Sequence, residues 1–164
     1  MSYDEMTFNK VIDELFKFAQ YHKQINNWGF GNLVEFSNKN EDNTEENLQY
    51  PLMFITPQNI TYNRTTTEYT ISIVFGDLLQ EDAMDGKNVI SNMSMLAKDL
   101  ISYILQPSPV ANSVDLSDVF NISLPVNAIP FQERFNDVIG GVSLDLTIQV
   151  LDSINTCSDI VIEE

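Results

Sequence analysis

The sequence predicts an α+β domain, a mostly antiparallel sheet with two amphipathic helices packed on one face. Three observations carry that prediction. Two stretches keep the helical period, near residues 4–21 and 87–106. Two others, 65–75 and 142–152, alternate with period two. The order helix, strands, helix, strands lacks the regular βαβ alternation of a parallel sheet.

In the first helical stretch Phe8, Val11, Ile12, Leu15, Phe16 and Ala19 recur at spacings of three and four and form one stripe. Ser2 followed by Glu5 has the form of a capping box at its start. The helix would be about 27 Å long, enough to cross a small sheet. Next comes "HKQINNWGFGNLVEF", residues 22–36, with the chain's one His and one Trp. A glycine pair after a helix and before a strand reverses the order of a dinucleotide fingerprint, so "WGFG" reads as a tight turn. Short strands are expected at 32–37 and in the proline-bracketed run 50–57. The polar, acidic stretch between them, 38–49, reads as an exposed loop.

Asn63 and Arg64 suit a turn joining a strand near 58–62 to the 65–75 strand, in which Tyr69, Ile71, Ile73 and Phe75 share a face. Asp85 and Gly86 punctuate the start of the second helix, and Pro107 and Pro109 stop it. Of Met84, Met93 and Met95 only Met93 lies squarely on its stripe, so the three read as packing. Residues 119–127 read as a strand up to Pro125. "PFQERFNDVIGG" places Phe131 and Phe135 at helical spacing and suggests a short helix or a loop tucking two rings inward. Val142, Leu144, Leu146, Ile148 and Val150 then form the cleanest alternation in the chain, followed by an acidic tail at 152–164. No linker or repeat divides the 164 residues, so a single domain, 1–164, is expected.

Charge narrows the function. A net charge of −16 repels phosphate backbones and anionic headgroups, and the eight Lys and Arg residues are scattered. Met1–Glu5 shows no signal-peptide pattern and no apolar run reaches membrane-spanning length, so a cytosolic product without a membrane partner is expected. The acceptor-type triplets at Asn59, Asn63, Asn92 and Asn121 are then accidental. Cys157 is alone and offers neither a disulfide nor a zinc spacing.

Catalytic chemistry finds little material. His22 is the sole candidate base, and at the end of a helix it suits the last carbonyls and the dipole. "EDAMDGKNVISN" fails as a calcium loop, because Ala83 and Asn92 fall where ligands are required. Glu45–Glu46 and Glu81–Asp82 read as solvated pairs. No enzyme, metal or cofactor is expected. Tyr3, Trp28, Phe30, Phe131 and Phe135 lie outside the periodic stripes, where rings either anchor an interface or close the ends of a core.

An amphipathic helix, "INNWGFGNLVEF", a polar insertion, "YPLMFITP", "YTISIVFGDLLQED", a long helix and "FQERFNDVIGGVSLDLTIQV" follow one another in an order that resembles structural proteins of tailed bacteriophages. The likeness is to neck and tail ring proteins of crAss-like phages infecting gut Bacteroidetes, and more distantly to tail terminator proteins. It implies a tail-terminator-like fold, with copies joined in a homo-oligomeric ring of twelve or alternatively six. Such a ring would sit in the neck or tail of the virion against portal, neck or tail proteins, after synthesis in the host cytoplasm. DNA would pass through its channel without specific binding. Trp28, Gly29, Phe30, Gly31, Phe135, Gly140 and Gly141 carry the likeness, and with Phe131 they are the candidates for shared architecture or assembly. A ring needs two different complementary patches on one small domain. The rival expectation is a monomeric acidic binding module or immunity-type protein, whose surface mimics nucleic acid or neutralises a basic partner.

Overall fold

A computed structural model describes residues 7–32, 49–79, 83–106, 120–134 and 138–151, with the backbone alone at 83–85, 120, 133 and 134. In chain order the elements are α1 (Phe8–Tyr21), β1 (Asn27–Phe30), β2 (Leu52–Tyr62), β3 (Thr66–Leu78), α2 (Ala83–Leu105), β4 (Phe120–Ile122), β5 (Ala128–Arg134) and β6 (Val138–Leu151). Six strands make one sheet in the order β1-β2-β3-β6-β4, with β5 also pairing β6. Every pairing is antiparallel except β1 with β2, which is parallel. This is the expected α+β fold with a mostly antiparallel sheet.

The alternating residues of β3 and β6 explain the core. Tyr69, Ile71, Ile73 and Phe75 lie opposite Ile148, Leu146, Leu144 and Val142, and Met53 and Ile55 of β2 continue the same face. Onto it α1 sets Val11, Ile12, Leu15, Phe18 and Ala19, and α2 sets Val89, Met93, Leu96, Ala97, Leu100 and Ile104, all in one buried cluster. Both helices therefore share a face. Burial of these stripes, more than helix propensity, holds the helices in place.

Local signals shift several boundaries. The helix cap is Thr7, whose hydroxyl accepts from the Lys10 N–H at 3.4 Å, and not the Ser2–Glu5 box. Residues 2–6 lie outside the described residues. Gly86 does not punctuate the start of α2 but is buried inside its first turns, facing Gln132 of β5. Pro57 does not end a strand: β2 runs on to Tyr62 with a register shift between Pro57 and Asn59. An edge position tolerates the missing donor. The expected turn follows, closed by Asn63 N–H donating to the Thr66 carbonyl at 2.8 Å. The strand expected up to Pro125 is shorter, Phe120–Ile122.

"PFQERFNDVIGG" is corrected more deeply. It is no helix or tucked loop but the larger part of an antiparallel hairpin, β5 running into β6, with Phe131 opposite Gly141. Phe135, all but Asn32 of the strand expected at 32–37, and most of the acidic loop at 38–49 fall outside the described residues, as does the tail 152–164.

Candidate functional site

"WGFG" is for the most part an edge strand and not the tight turn its glycines predict. Trp28, Gly29 and Phe30 form β1, in register with Met53, Phe54 and Ile55, and only Gly31 is a turn residue, with φ 139°. The strand is pinned at both ends. Asn26 donates through its N–H to the Pro51 carbonyl at 2.9 Å and through its amide to the Tyr50 carbonyl at 2.8 Å. Gly31 N–H donates to the Ile55 carbonyl at 3.0 Å. Gly29 lies against the Phe54 ring, which a Cβ would meet at 3.2 Å. Parity puts Trp28 and Phe30 on the helix-bearing face, where the Phe30 ring meets Phe8 edge-on at 5.9 Å. Even so, Trp28 is 37% and Phe30 44% exposed.

Phe131, Gly140 and Gly141 lie on β5 and β6, far from β1 in the strand order. Phe131 is half-buried, and its ring lies 3.8 Å from where a Cβ on Gly76 would sit, so an aromatic covers the glycine pair Gly76–Gly141. A Cβ on Gly140 would meet the Leu79 side chain at 3.1 Å. A Cβ on Gly141 would fall on the Phe75 carbonyl oxygen of the paired strand β3. These three residues are sheet architecture.

The candidates thus divide into two groups and are not brought together. From β1 the path to β5 crosses β2, β3 and β6. At roughly 4.8 Å per step Phe131 lies about 19 Å from β1 and the two glycines of β6 about 14 Å.

Two features escaped the sequence reading. Beyond Ile55 no described strand pairs with the outer edge of β2. Ile60, 43% exposed, and Tyr62, 70% exposed, stand on the helix-bearing side of that bare edge, opposite Tyr69 and Thr67. Tyr69 in turn meets Phe8 at 5.3 Å. Trp28, Phe30, Phe8, Ile60 and Tyr62 therefore make one apolar strip along the β1–β2 edge. The signal was present in the charge pattern: residues 47–67 hold Arg64 and no other charge.

The second feature is the helix-free face. Thr70 and Thr147 share a hydroxyl contact at 3.4 Å, Ser72 and Ser143 one at 3.2 Å, and Gln58 donates to Asp145 at 3.2 Å. Register places Glu68 and Gln149 on the same face. Leu52 and Phe54, with half-buried Tyr50 and Val74, form a small apolar island at one end. Among the strand residues whose side chains are described, this face carries Glu68 and Asp145 and no Lys or Arg. Its middle is polar and weakly acidic, and register places the exposed Leu78, Ile129 and Leu151 on the same face.

His22 caps α1 by donating its N–H to the Phe18 carbonyl, but its ring turns to α2. Nδ1 accepts from the Gln24 N–H at 3.2 Å, and Nε2 faces Asp99 Oδ2 at 2.9 Å. With Nδ1 the acceptor, Nε2 is the donor. Both ring nitrogens are engaged, which leaves no lone pair for activating a nucleophile. The pair is a partly exposed strut between the helices. His22→Gln is expected to change stability by less than about 1 kcal/mol, measured as a small shift in urea midpoint. Nearby, Glu14 holds the Lys17 ammonium above its ordinary range through a 2.8 Å hydrogen bond. Burial pushes the Tyr103 phenol up, with the Glu14 carboxylate adding to the shift.

Among the described residues no three His, Cys, Asp or Glu side chains converge as metal ligands. No described helix is long and apolar enough to cross a membrane. The chain matches no protein-family model and no curated relative.

Proposed function

We propose that the chain is a virion structural protein, the subunit of a homo-oligomeric ring in the neck or tail of a tailed bacteriophage. The ring joins head to tail and continues the DNA channel. The observation that carries this reading is that the described sheet ends in two unlike edges, β1 with the bare part of β2 on one side and β4 with β5 on the other. A closed ring is built from heterologous contacts, in which one patch on each copy meets a second, unlike patch on the next. Trp28 and Phe30 at one edge and Ile129, 61% exposed, at the other offer two such patches on a small domain. The resemblance in segment order to neck and tail ring proteins supplies the virion context.

In this reading the helix-free face looks into the channel. Hydroxyls and amides with two carboxylates give passing phosphates nothing to grip, and the charge of −16 repels them. Asp145→Lys combined with Glu68→Lys adds four positive units per subunit to that face. Genome release from virions carrying the double variant is expected to slow several-fold, read as the rate of DNA ejection in vitro. Unchanged ejection would remove the channel assignment. Negative-stain imaging with light scattering tests the ring itself: closed rings of one size support it. A monomer that captures cationic proteins in a salt-sensitive way supports the acidic binding module instead.

A further inference from the structure

We infer that copies of this chain join edge to edge, the β1–β2 edge of one copy meeting the β4–β5 edge of the next, so that one antiparallel sheet continues through the assembly. The inference rests on the ring reading and names its seam.

Open strand edges are liabilities that proteins usually blunt with charge, above all lysine, or with proline. This chain uses Pro57 and Pro130 but almost no charge. Residues 24–34, which contain β1, have none, and 119–132, which contain β4 and most of β5, have none either. The bare part of β2, Pro57–Tyr62, is likewise uncharged. In a chain with 24 acidic residues, like-charge repulsion opposes contact between copies wherever those residues lie. The two edges are where two copies can meet without it, which favours a second copy over a cationic partner as the occupant.

Strand direction fits as well. β3 runs antiparallel to β2, β6 to β3, and both β4 and β5 to β6, so β4 and β5 run antiparallel to β2 and to its parallel neighbour β1. Copies set side by side therefore meet through antiparallel junctions, as in every pairing of the sheet but β1 with β2. Position along the strands agrees too. β5 pairs the part of β6 that lies level with Leu52–Ile55 and β1, and β4 pairs the part level with Ile60–Tyr62. Each edge so presents a two-part outline, β1 then bare β2 on one side and β5 then β4 on the other. Exposed apolar side chains flank both: Trp28, Phe30, Ile60 and Tyr62 on the first, Leu124 and Ile129 on the second.

The test uses the full chain with Cys157→Ser, so that an introduced thiol is the sole one. Asn59→Cys and Asn121→Cys lie on opposite edges, both exposed and both on the helix-free side. A short bis-maleimide is added to each variant alone, to an equimolar mixture, and to the double variant. The expected result is no dimer from either alone, dimer from the mixture, and a ladder of multimers from the double variant. Dimer from Asn59→Cys alone would mean a like-with-like contact and overturn the seam. A companion measurement separates this failure from that of the ring reading. Tyr62→Lys with Phe30→Lys is expected to lower the mass in light scattering to that of one chain while circular dichroism stays native. Rings that persist in that variant and give no cross-link would leave the ring reading standing and overturn the seam. A wild-type chain that is monomeric at every concentration overturns the seam outright.

Discussion

Gly141→Ala is expected to destabilise the fold far more than alanine at either neighbouring glycine of the sheet. The methyl group would fall on the Phe75 carbonyl oxygen, a backbone atom held by the β3–β6 ladder from Thr66 to Leu78. No rotamer change relieves such an overlap, so the two central strands must separate locally. Overpacking usually costs about 1–3 kcal/mol, and a backbone clash between the longest strands belongs at or above the top of that range. The neighbouring glycines give the comparison its force. A Cβ on Gly76 would sit 3.8 Å from its nearest neighbours, ordinary contact, and on Gly140 it would press a Leu79 side chain that can turn away. Urea midpoints should therefore fall in the order Gly76→Ala, Gly140→Ala, Gly141→Ala, with the last far below the others. Equal midpoints for Gly76→Ala and Gly141→Ala would mean that the strands are not as close as described.

The same pairing of β3 with β6 shows where the sequence was legible and where it was not. Residues 142–150 alternate so regularly that their strand and its buried face follow from period alone. Gly140 and Gly141 look like a stop before that strand, whereas β6 passes straight through them. The glycines serve close approach between strands, which only the tertiary pairing reveals. Phe131 and Phe135 misled for a related reason, since a spacing of four suits a helix and Phe131 belongs to a strand whose partner lies across a hairpin. The helices were easier. α1 and α2 bury continuous stripes, and their period survives any uncertainty in the caps.

The edge strand β1 was the hardest element to read. Trp28 and Phe30 alternate across Gly29, a period-two signal three residues long and flanked by glycine, which reads equally as a turn. Gly29 is glycine because the Phe54 ring fills the space beside it, and Phe54 lies 25 residues on in the chain. A parallel pairing of this kind is non-local, and no short window contains it. The exposed strip on that edge was missed with it. Its visible trace was the absence of charge, a pattern that has meaning only once the strands are known to lie at an edge.

Phe75→Ala and Phe54→Ala separate the core from the edge. Phe75 is wholly buried on the helix-bearing face, opposite both Met53 and Val142, beneath the two helices. Its truncation leaves a cavity in the main core and should cost about 3–5 kcal/mol, a large share of the roughly 5–15 kcal/mol that holds a domain together. Phe54 is nearly as buried, at 6%, but its cluster is small: Leu52 with half-buried Tyr50 and Val74. That site can relax and admit water, so the loss should lie nearer 2 kcal/mol. The second variant has a further consequence, because Gly29 rests on the Phe54 ring. Removing the ring takes away what β1 lies against without touching the main core. Phe54→Ala should therefore stay folded at room temperature yet assemble less readily than the wild type, read as mass against concentration by light scattering. Phe75→Ala should lose stability first, and assembly only as its folded fraction falls. If Phe54→Ala assembles like the wild type, then β1 keeps its place without the ring, or the edge it forms is not where copies meet. Cross-linking from Asn59 to Asn121 in the Phe54→Ala background decides between those two outcomes.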